Sequence, residues 1–133
     1  MDNLTSSSGA RLRILLADDN KPFRQRVRKL LRNTPDVELV GEAGDGEEAV
    51  RLAGELKPDI VIMDVVMPRL NGVEATRQVT SELPSAKVIA LSLHGDDGFR
   101  RAMLEAGASA YLLKDNVGHE LIKALRSVTA GAA

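Results

Sequence analysis

Five short apolar runs, each followed by a stretch with helical periodicity, are the sequence feature that most restricts the fold of this chain. The runs are residues 12–17, 37–43, 60–63, 87–91 and 110–113. All of them are too short to cross a membrane, and they are typical of strands buried on both faces of a parallel sheet. The alternation therefore predicts five consecutive βα units.

The helical stretches carry their own start and stop signals. After the first run, Phe23, Val27, Leu30 and Leu31 form an apolar stripe, with Asn20 as the predicted cap and Pro22 in the first turn. Further helices are predicted at residues 45–56, 73–82, 96–106 and 118–129. Pro58, Pro84 and Gly107 follow three of these helices and are residues that commonly stop one.

Strict alternation of strands and helices predicts an α/β fold, in which helices cover both faces of a doubly wound parallel five-stranded sheet. Five units are too few for an eight-stranded barrel. No strand is followed by GxGxxG or GxxxxGK[ST], so a dinucleotide site or a P-loop is not supported.

Composition and charge exclude several classes of function but do not identify one. The 133 residues are 44% hydrophobic, and 18 basic residues against 19 acidic ones give a net charge of −1, which is not the basic signature of a dedicated nucleic-acid binder. The chain contains no Cys, so thiol catalysis and Cys-ligated metals are excluded, and a cytoplasmic setting is expected. We expect one domain at residues 11–129, a disordered tail at 1–10, and a tail or linker start at 130–133. The polar start predicts neither a signal peptide nor a membrane anchor.

Polar residues follow four of the predicted strands. Asp18 and Asp19 follow the first, Asp64 the third, Ser92 the fourth and Lys114 the fifth. Ligands of open parallel sheets bind at the carboxyl ends of the strands, so these side chains should meet at one edge. Clustered carboxylates repel one another unless a cation compensates, and hard oxygen ligands suit Mg²⁺ or Mn²⁺.

An ammonium and a hydroxyl beside the acidic cluster would supply donors for a transferring phosphoryl group, so carboxylate phosphorylation is the chemistry that the pattern suggests. Each acid alone could equally be a turn or cap residue. The joint occurrence of all of them, at four strand ends, is not something that capping requires.

At these positions the chain resembles the receiver domains of two-component response regulators, over about residues 11–129. The resemblance is carried by ILLADDN ending at Asn20, DVVMPRLNG from Asp64 to Gly72, ALS ending at Ser92, and GASAYLLK ending at Lys114. It implies a flavodoxin-like, CheY-like fold. The motifs ADDN, MPxxxG and YLLKD are similar to those of the NarL/FixJ subtype.

The resemblance implies a role for each of these residues. Asp64 would be the phosphoacceptor and Lys114 would pair with the phosphoryl oxygens. Asp19 would bind Mg²⁺ directly, Asp18 directly or through water, and the backbone carbonyl of Val66 would be a further ligand. Ser92 and Tyr111 would form the switch, the alternative for Tyr111 being a half-buried core aromatic. Val66 and His94 flank the site, and we expect both to tune the phosphoryl lifetime.

The implied partners are a sensor histidine kinase and, on phosphorylation, a second copy of the chain. DNA would be contacted only through a helix-turn-helix output domain that is not in this sequence. Six basic residues of the first helix could form a solvated face, a kinase-docking face or a contact with DNA phosphates: Lys21, Arg24, Arg26, Arg28, Lys29 and Arg32. Two departures from many receivers are Asp115, where a Pro is common, and the glycines at 95 and 98, which predict a mobile loop.

Three other functions remain open at this point. The chain could be a stand-alone receiver, or an interaction module that keeps only the fold. It could also be a Mg²⁺-dependent hydrolase that forms an aspartyl phosphate, although that class would want Asp-x-Asp after its first strand and here Asp18 and Asp19 are adjacent.

Overall fold

The structure is a computed structural model that describes residues 11–93 and 97–130. Five strands alternate with five helices: β1 (Leu12–Ala17), α1 (Lys21–Arg32), β2 (Val37–Ala43), α2 (Gly46–Leu56), β3 (Ile60–Asp64), α3 (Gly72–Glu82), β4 (Lys87–Ser92), α4 (Asp97–Ala106), β5 (Ala110–Leu113) and α5 (Val117–Ala130). A short 3₁₀ turn, Lys114–Asn116, joins β5 to α5. The strands form one parallel sheet in the order β2-β1-β3-β4-β5, which confirms the predicted fold class.

Local sequence explains where three of the helices begin. The side chains of Asn20, Asp45 and Asn71 each accept a hydrogen bond from the backbone N–H three residues ahead, at 2.9, 2.8 and 3.0 Å. These caps satisfy N–H groups that have no partner inside a helix. Asn20 and Asp45 follow directly on the turns after β1 and β2, and Gly72 at the start of α3 packs on the backbone of Asp64, so these helices start close to the edge where the strands end.

The core has two layers because strand side chains alternate between the faces of the sheet. Helices α1 and α5 cover one face with a cluster that includes Ile14, Leu16, Phe23, Ile62 and Leu91. Helices α2, α3 and α4 cover the other face with a cluster that includes Leu15, Met63, Val79, Ala90 and Met103. This arrangement fixes the sheet between two sets of helices and leaves the strand ends at its rim.

Two predicted strands and three predicted helices have slightly different bounds in the structure, and the predicted start of α4 at residue 96 lies outside the described residues. Strand β3 includes Asp64 and β4 includes Ser92, so each ends one residue later than the apolar run did. The hydrogen-bond ladder extends past the apolar run because Asp64 pairs with Leu91 in register and Ser92 with Leu113. Asp45 is a cap before α2, whereas α3 and α5 each begin one residue earlier than predicted, and α5 also ends one residue later.

Several sequence expectations concern residues outside the described ranges. These are the tails at 1–10 and 131–133 and the segment 94–96, which includes His94 and part of the loop expected to be mobile. Within the described ranges every peptide bond is trans, including the one between Lys114 and Asp115. None of the helices in those ranges is long and apolar enough to span a membrane.

Candidate functional site

The strand ends bring the predicted acidic residues together. Asp18, Asp19 and Asp64 each offer a carboxylate oxygen, and these oxygens lie within 4.8 Å of one another. The register explains the convergence, because Ala17 pairs with Met63 and each is followed directly by one of the acids. Asp18 and Asp64 are buried, whereas Asp19 is exposed to solvent.

Lys114 lies against this cluster from the end of β5. Its Nζ is 2.6 Å from Oδ2 of Asp18 and 3.4 Å from Oδ2 of Asp64, and its side chain is only 8% exposed. A buried ion pair of this kind compensates charge that burial would otherwise make unfavourable. One ammonium nevertheless faces three carboxylates, so the site keeps an excess of negative charge.

The donor set fits a small divalent cation. Oδ2 of Asp18 is buried and already has the Lys114 ammonium as its partner at 2.6 Å. Three carboxylates whose oxygens lie within 4.8 Å of one another nevertheless exceed the single ammonium in charge, and a cation bound among them would offset their repulsion. Oxygen ligands and one solvent-exposed side suit Mg²⁺, which keeps several of its waters.

Burial and the other carboxylates of the cluster raise the pKa of Asp64. Burial and the neighbouring Asp18 carboxylate raise the pKa of Asp64 to about 7, against the opposing pull of Lys114, and Asp19 adds to the rise. A nucleophilic carboxylate must be ionised. A cation bound among these oxygens would favour the ionised form and lower that pKa.

The loop after β1 is held by hydrogen bonds to β2 and to α1. Asp18 donates its N–H to the carbonyl of Ala43 at 2.9 Å, and its Oδ1 accepts from the N–H of Asn20 at 2.8 Å. Arg24 of α1 donates from Nη1 to the carbonyl of Asp18 at 2.6 Å and from Nε to Glu42 at 3.1 Å. The position of the Asp18–Asp19 pair is therefore fixed by a guanidinium.

Arg28 also pairs with Glu42, through two hydrogen bonds of 2.7 and 2.9 Å. The Arg28 hydrogen bonds hold the pKa of Glu42 below its usual range, against the effect of burial. Two of the six basic residues of α1 thus have a structural partner on β2. The other four are exposed: Lys21, Arg26, Lys29 and Arg32.

The loop after β3 packs so closely that two glycines are required. A Cβ on Gly72 would lie 1.9 Å from the carbonyl oxygen of Asp64, and one on Gly46 would lie 1.7 Å from that of Leu70. Gly72 also donates its N–H to the carbonyl of Val65 at 2.7 Å. The close approach gives a physical reason for the Gly in the MPxxxG motif, because the start of α3 lies directly on the backbone of the proposed phosphoacceptor.

The remaining predicted residues surround the same edge. Ser92 is 1% exposed at the end of β4. Tyr111 is partly buried on the edge strand β5 and packs against the cluster under α2, α3 and α4. Val66 is 56% exposed and lines, with Leu93 and Pro22, an open cleft of about 590 Å³ that also contains Asp19, Asp64, Ser92 and Lys114.

Sequence reasoning missed two residues of this site. The spacing of Phe23 predicts only a place in the apolar stripe of α1, yet its ring centroid lies 4.6 Å from Nζ of Lys114. Arg24 was one of six basic residues without a distinguishing role, yet it holds the Asp18 loop. Helical periodicity carries no signal for either contact, because both depend on how α1 packs on the sheet.

Comparisons with known proteins agree with this architecture. Residues 14–126 match the model of the response regulator receiver domain. The transcriptional regulatory proteins DegU of Brevibacillus brevis and LiaR of Bacillus subtilis are 41% and 43% identical over 92% and 90% of this chain. These matches cover 52% and 57% of the two relatives, so the chain spans about half of their length.

Solved structures give the same answer. A LuxR-family two-component response regulator from an Aurantimonas species is 37% identical, with a TM-score of 0.86 over 91% of this chain and 86% of that one. The signal receiver domain of a NarL response regulator from Mycobacterium tuberculosis is 32% identical, with a TM-score of 0.87 over 92% and 99% of the two chains. The NarL/FixJ-like subtype is supported by both. This chain therefore belongs to the response regulator receiver domain family.

Proposed function

We propose that Asp64 accepts a phosphoryl group from the phosphohistidine of a sensor histidine kinase. The observation that carries the proposal is that Asp64 lies close to Asp18, Asp19 and the Lys114 ammonium. Asp19, Asp64 and Lys114 also line an open cleft. Receiver domains as a family interact with histidine kinases. Lys21 lines this cleft, and we assign to the kinase the surface that Lys21 forms with the other three exposed basic residues of α1.

In the proposed transfer, a carboxylate oxygen of Asp64 attacks phosphorus and forms an O–P bond. The P–N bond to the donor imidazole breaks, and the imidazole nitrogen leaves with the electron pair and takes up a proton. Hydrolysis by water later returns the carboxylate and releases inorganic phosphate. The Lys114 ammonium lies 2.6 and 3.4 Å from the carboxylates of Asp18 and Asp64. On phosphorylation it would move from these carboxylates to the new phosphoryl oxygens and stabilise their negative charge.

Receiver domains generally bind Mg²⁺ through an acidic pocket. In this chain we assign the ion, Mg²⁺ or Mn²⁺, to the carboxylates of Asp18, Asp19 and Asp64 and to the backbone carbonyl of Val66. When bound, the cation offsets carboxylate repulsion and the charge of the phosphoryl oxygens. The chain supplies rigid placement of these ligands through Arg24 on one loop and Gly72 on the other.

The response to phosphorylation is assigned to Ser92 and Tyr111. Ser92 ends the strand beside Asp64, so its hydroxyl is close enough in the fold to turn toward a phosphoryl group. Tyr111 lies on the edge strand β5, in register with Ala90 of β4, and its partial burial leaves room for a second packing arrangement.

Downstream roles rest on the relatives. DegU and LiaR are transcriptional regulatory proteins, and the matched region is 52% and 57% of their length, so a DNA-binding output attached to this receiver is part of the proposal. A stand-alone receiver is the alternative.

Phosphorylation should also promote pairing of two receivers, in the cytoplasm where the kinase acts. Sedimentation velocity with and without the beryllofluoride mimic tests the pairing, and an unchanged monomer would contradict it.

A labelled phosphoramidate donor tests the phosphoacceptor because it presents the same P–N bond. Wild-type protein with Mg²⁺ should become labelled, Asp64→Asn should not, and Asp115→Asn should behave as wild type. Asp115 is an exposed acid next to Lys114, so it is a matched control for loss of one negative charge near the site. Full labelling of Asp64→Asn would contradict the assignment.

A further inference from the structure

The Lys114 ammonium has a neighbour that neither the acidic cluster nor the phosphoryl chemistry accounts for. Its Nζ lies over the face of the Phe23 ring, 4.6 Å from the centroid. Both residues are buried, with Phe23 6% and Lys114 7% exposed. The ammonium is therefore enclosed by Asp18, Asp64 and an aromatic face.

We propose that Phe23 is a positioning residue for the phosphoryl-binding ammonium, acting through a cation–π contact. This inference rests on the proposed function of Asp64 and extends it to α1. The face of an aromatic ring carries negative potential, and a cation within about 6 Å of the centroid is attracted, most strongly where water is excluded.

The ring is held in place independently of Lys114. The backbone N–H of Phe23 donates to the capping side chain of Asn20 at 2.9 Å, so the residue lies in the first turn of a capped helix. Its side chain belongs to the same core cluster as Val27 and Leu31 of α1. A ring that is held in this way can fix the position of the ammonium group at the end of the long Lys114 side chain.

A ring suits this task better than another carboxylate would. A carboxylate would hold the ammonium but would also neutralise it, and the positive charge is what the phosphoryl oxygens need. The ring is neutral and accepts no full hydrogen bond. It can retain Nζ in the cleft while the ammonium exchanges its carboxylate partners for phosphoryl oxygens.

Progressive fluorination of the Phe23 ring separates the cation–π contact from simple packing. Mono-, di- and trifluorophenylalanine at this position reduce the negative potential of the ring face while its shape changes little. The first readout is the affinity for beryllofluoride in the presence of Mg²⁺. We expect the affinity for beryllofluoride to weaken with each added fluorine. The Phe23→Leu variant, which lacks the ring, should bind beryllofluoride between about 2-fold and about 30-fold more weakly than wild type. The same fluorinated residues at Phe99, which packs on the other core cluster, should leave the affinity unchanged.

The second readout needs neither metal nor phosphate. In the metal-free protein, NMR should show the ε-methylene protons of Lys114 shifted upfield by the ring, and Phe23→Leu should abolish that shift. Absence of the shift in wild-type protein would overturn the proposal. An affinity that is flat across the fluorinated series, with wild-type binding intact, would overturn it while leaving the role of Asp64 in place. Failure of wild-type protein to bind beryllofluoride would instead overturn the proposed function, and the positioning role with it.

Discussion

Replacing Asp64 by Asn should stabilise the metal-free protein at neutral pH, although it removes the residue on which the proposed function depends. Asn has nearly the same shape as a protonated Asp, so the substitution removes the charge and little else. Burial and the Asp18 carboxylate raise the pKa of Asp64 from 3.8 to about 7. The folded protein therefore has to ionise this carboxyl at a higher pH than the unfolded chain does.

The sign and size of the effect follow from that difference in pKa. Below pH 3.8 the Asp64 carboxyl is protonated in both states and contributes no penalty. As the pH rises toward about 7 the unfolded chain gains from ionisation and the folded protein does not, so wild-type stability falls relative to Asp64→Asn. A rise of about three pKa units corresponds to about 4 kcal/mol, which is the ceiling reached above pH 7.

Urea unfolding in EDTA at a series of pH values measures this directly. The free energy of unfolding of Asp64→Asn should exceed that of wild type by an amount that grows between pH 4 and pH 7 and then levels off. Asp115→Asn, at an exposed position, should show no such growth. Adding Mg²⁺ should reduce the advantage of Asp64→Asn, because the cation stabilises the ionised cluster. A pH-independent difference, or a less stable variant at pH 8, would refute the electrostatic account.

Four further substitutions test the metal ligands, the packing and the lifetime of the phosphoryl group. Asp19→Ala should abolish the rise in melting temperature that Mg²⁺ produces in wild type, and an unchanged Mg²⁺ response would contradict its role as a ligand. Gly72→Ala should destabilise the protein by about 1 to 3 kcal/mol, because its methyl group would meet the carbonyl oxygen of Asp64. Gly54→Ala, which has open space around it in the middle of a helix, should instead stabilise the protein by about 0.5 to 1 kcal/mol. Chemical denaturation measures both changes. Val66→Asn should change the rate of phosphoryl loss several-fold without altering Mg²⁺ affinity, since a polar side chain at the cleft can hydrogen-bond the attacking water, and an unchanged rate after donor removal would contradict it.

The fold could be predicted from the sequence because each of its determinants is local. Apolar runs bounded by turn residues, caps such as Asn20 and Asp45, and strict alternation of elements predict a parallel sheet with helices on both faces, and the structure adds the order of the strands. The acidic cluster followed from the same reasoning, because parallel strands end at one edge and the acids directly follow them. The predicted bounds of β3, β4 and three of the helices differ by one residue from the structure, and for the two strands the reason is that pairing extends the ladder into polar sequence.

The supporting contacts could not be predicted in this way. Phe23 has the spacing of a core residue, and its position over the Lys114 ammonium depends on how α1 lies on the sheet. Arg24 and Arg28 look like a solvated basic face, and their partner Glu42 is distant in sequence. The closeness of Gly72 to the backbone of Asp64 is likewise a property of tertiary packing.

Locating the phosphoryl group on the chain is the most direct test of the account. The protein would be incubated with acetyl phosphate and Mg²⁺, and the acyl phosphate would then be trapped by borohydride reduction and mapped by mass spectrometry of proteolytic peptides. We expect modification at Asp64 and at no other acid, and no modification when Mg²⁺ is removed by EDTA. A modified Asp18 or Asp19 with an unmodified Asp64, or a wild-type protein that takes up no phosphoryl group at all, would contradict it.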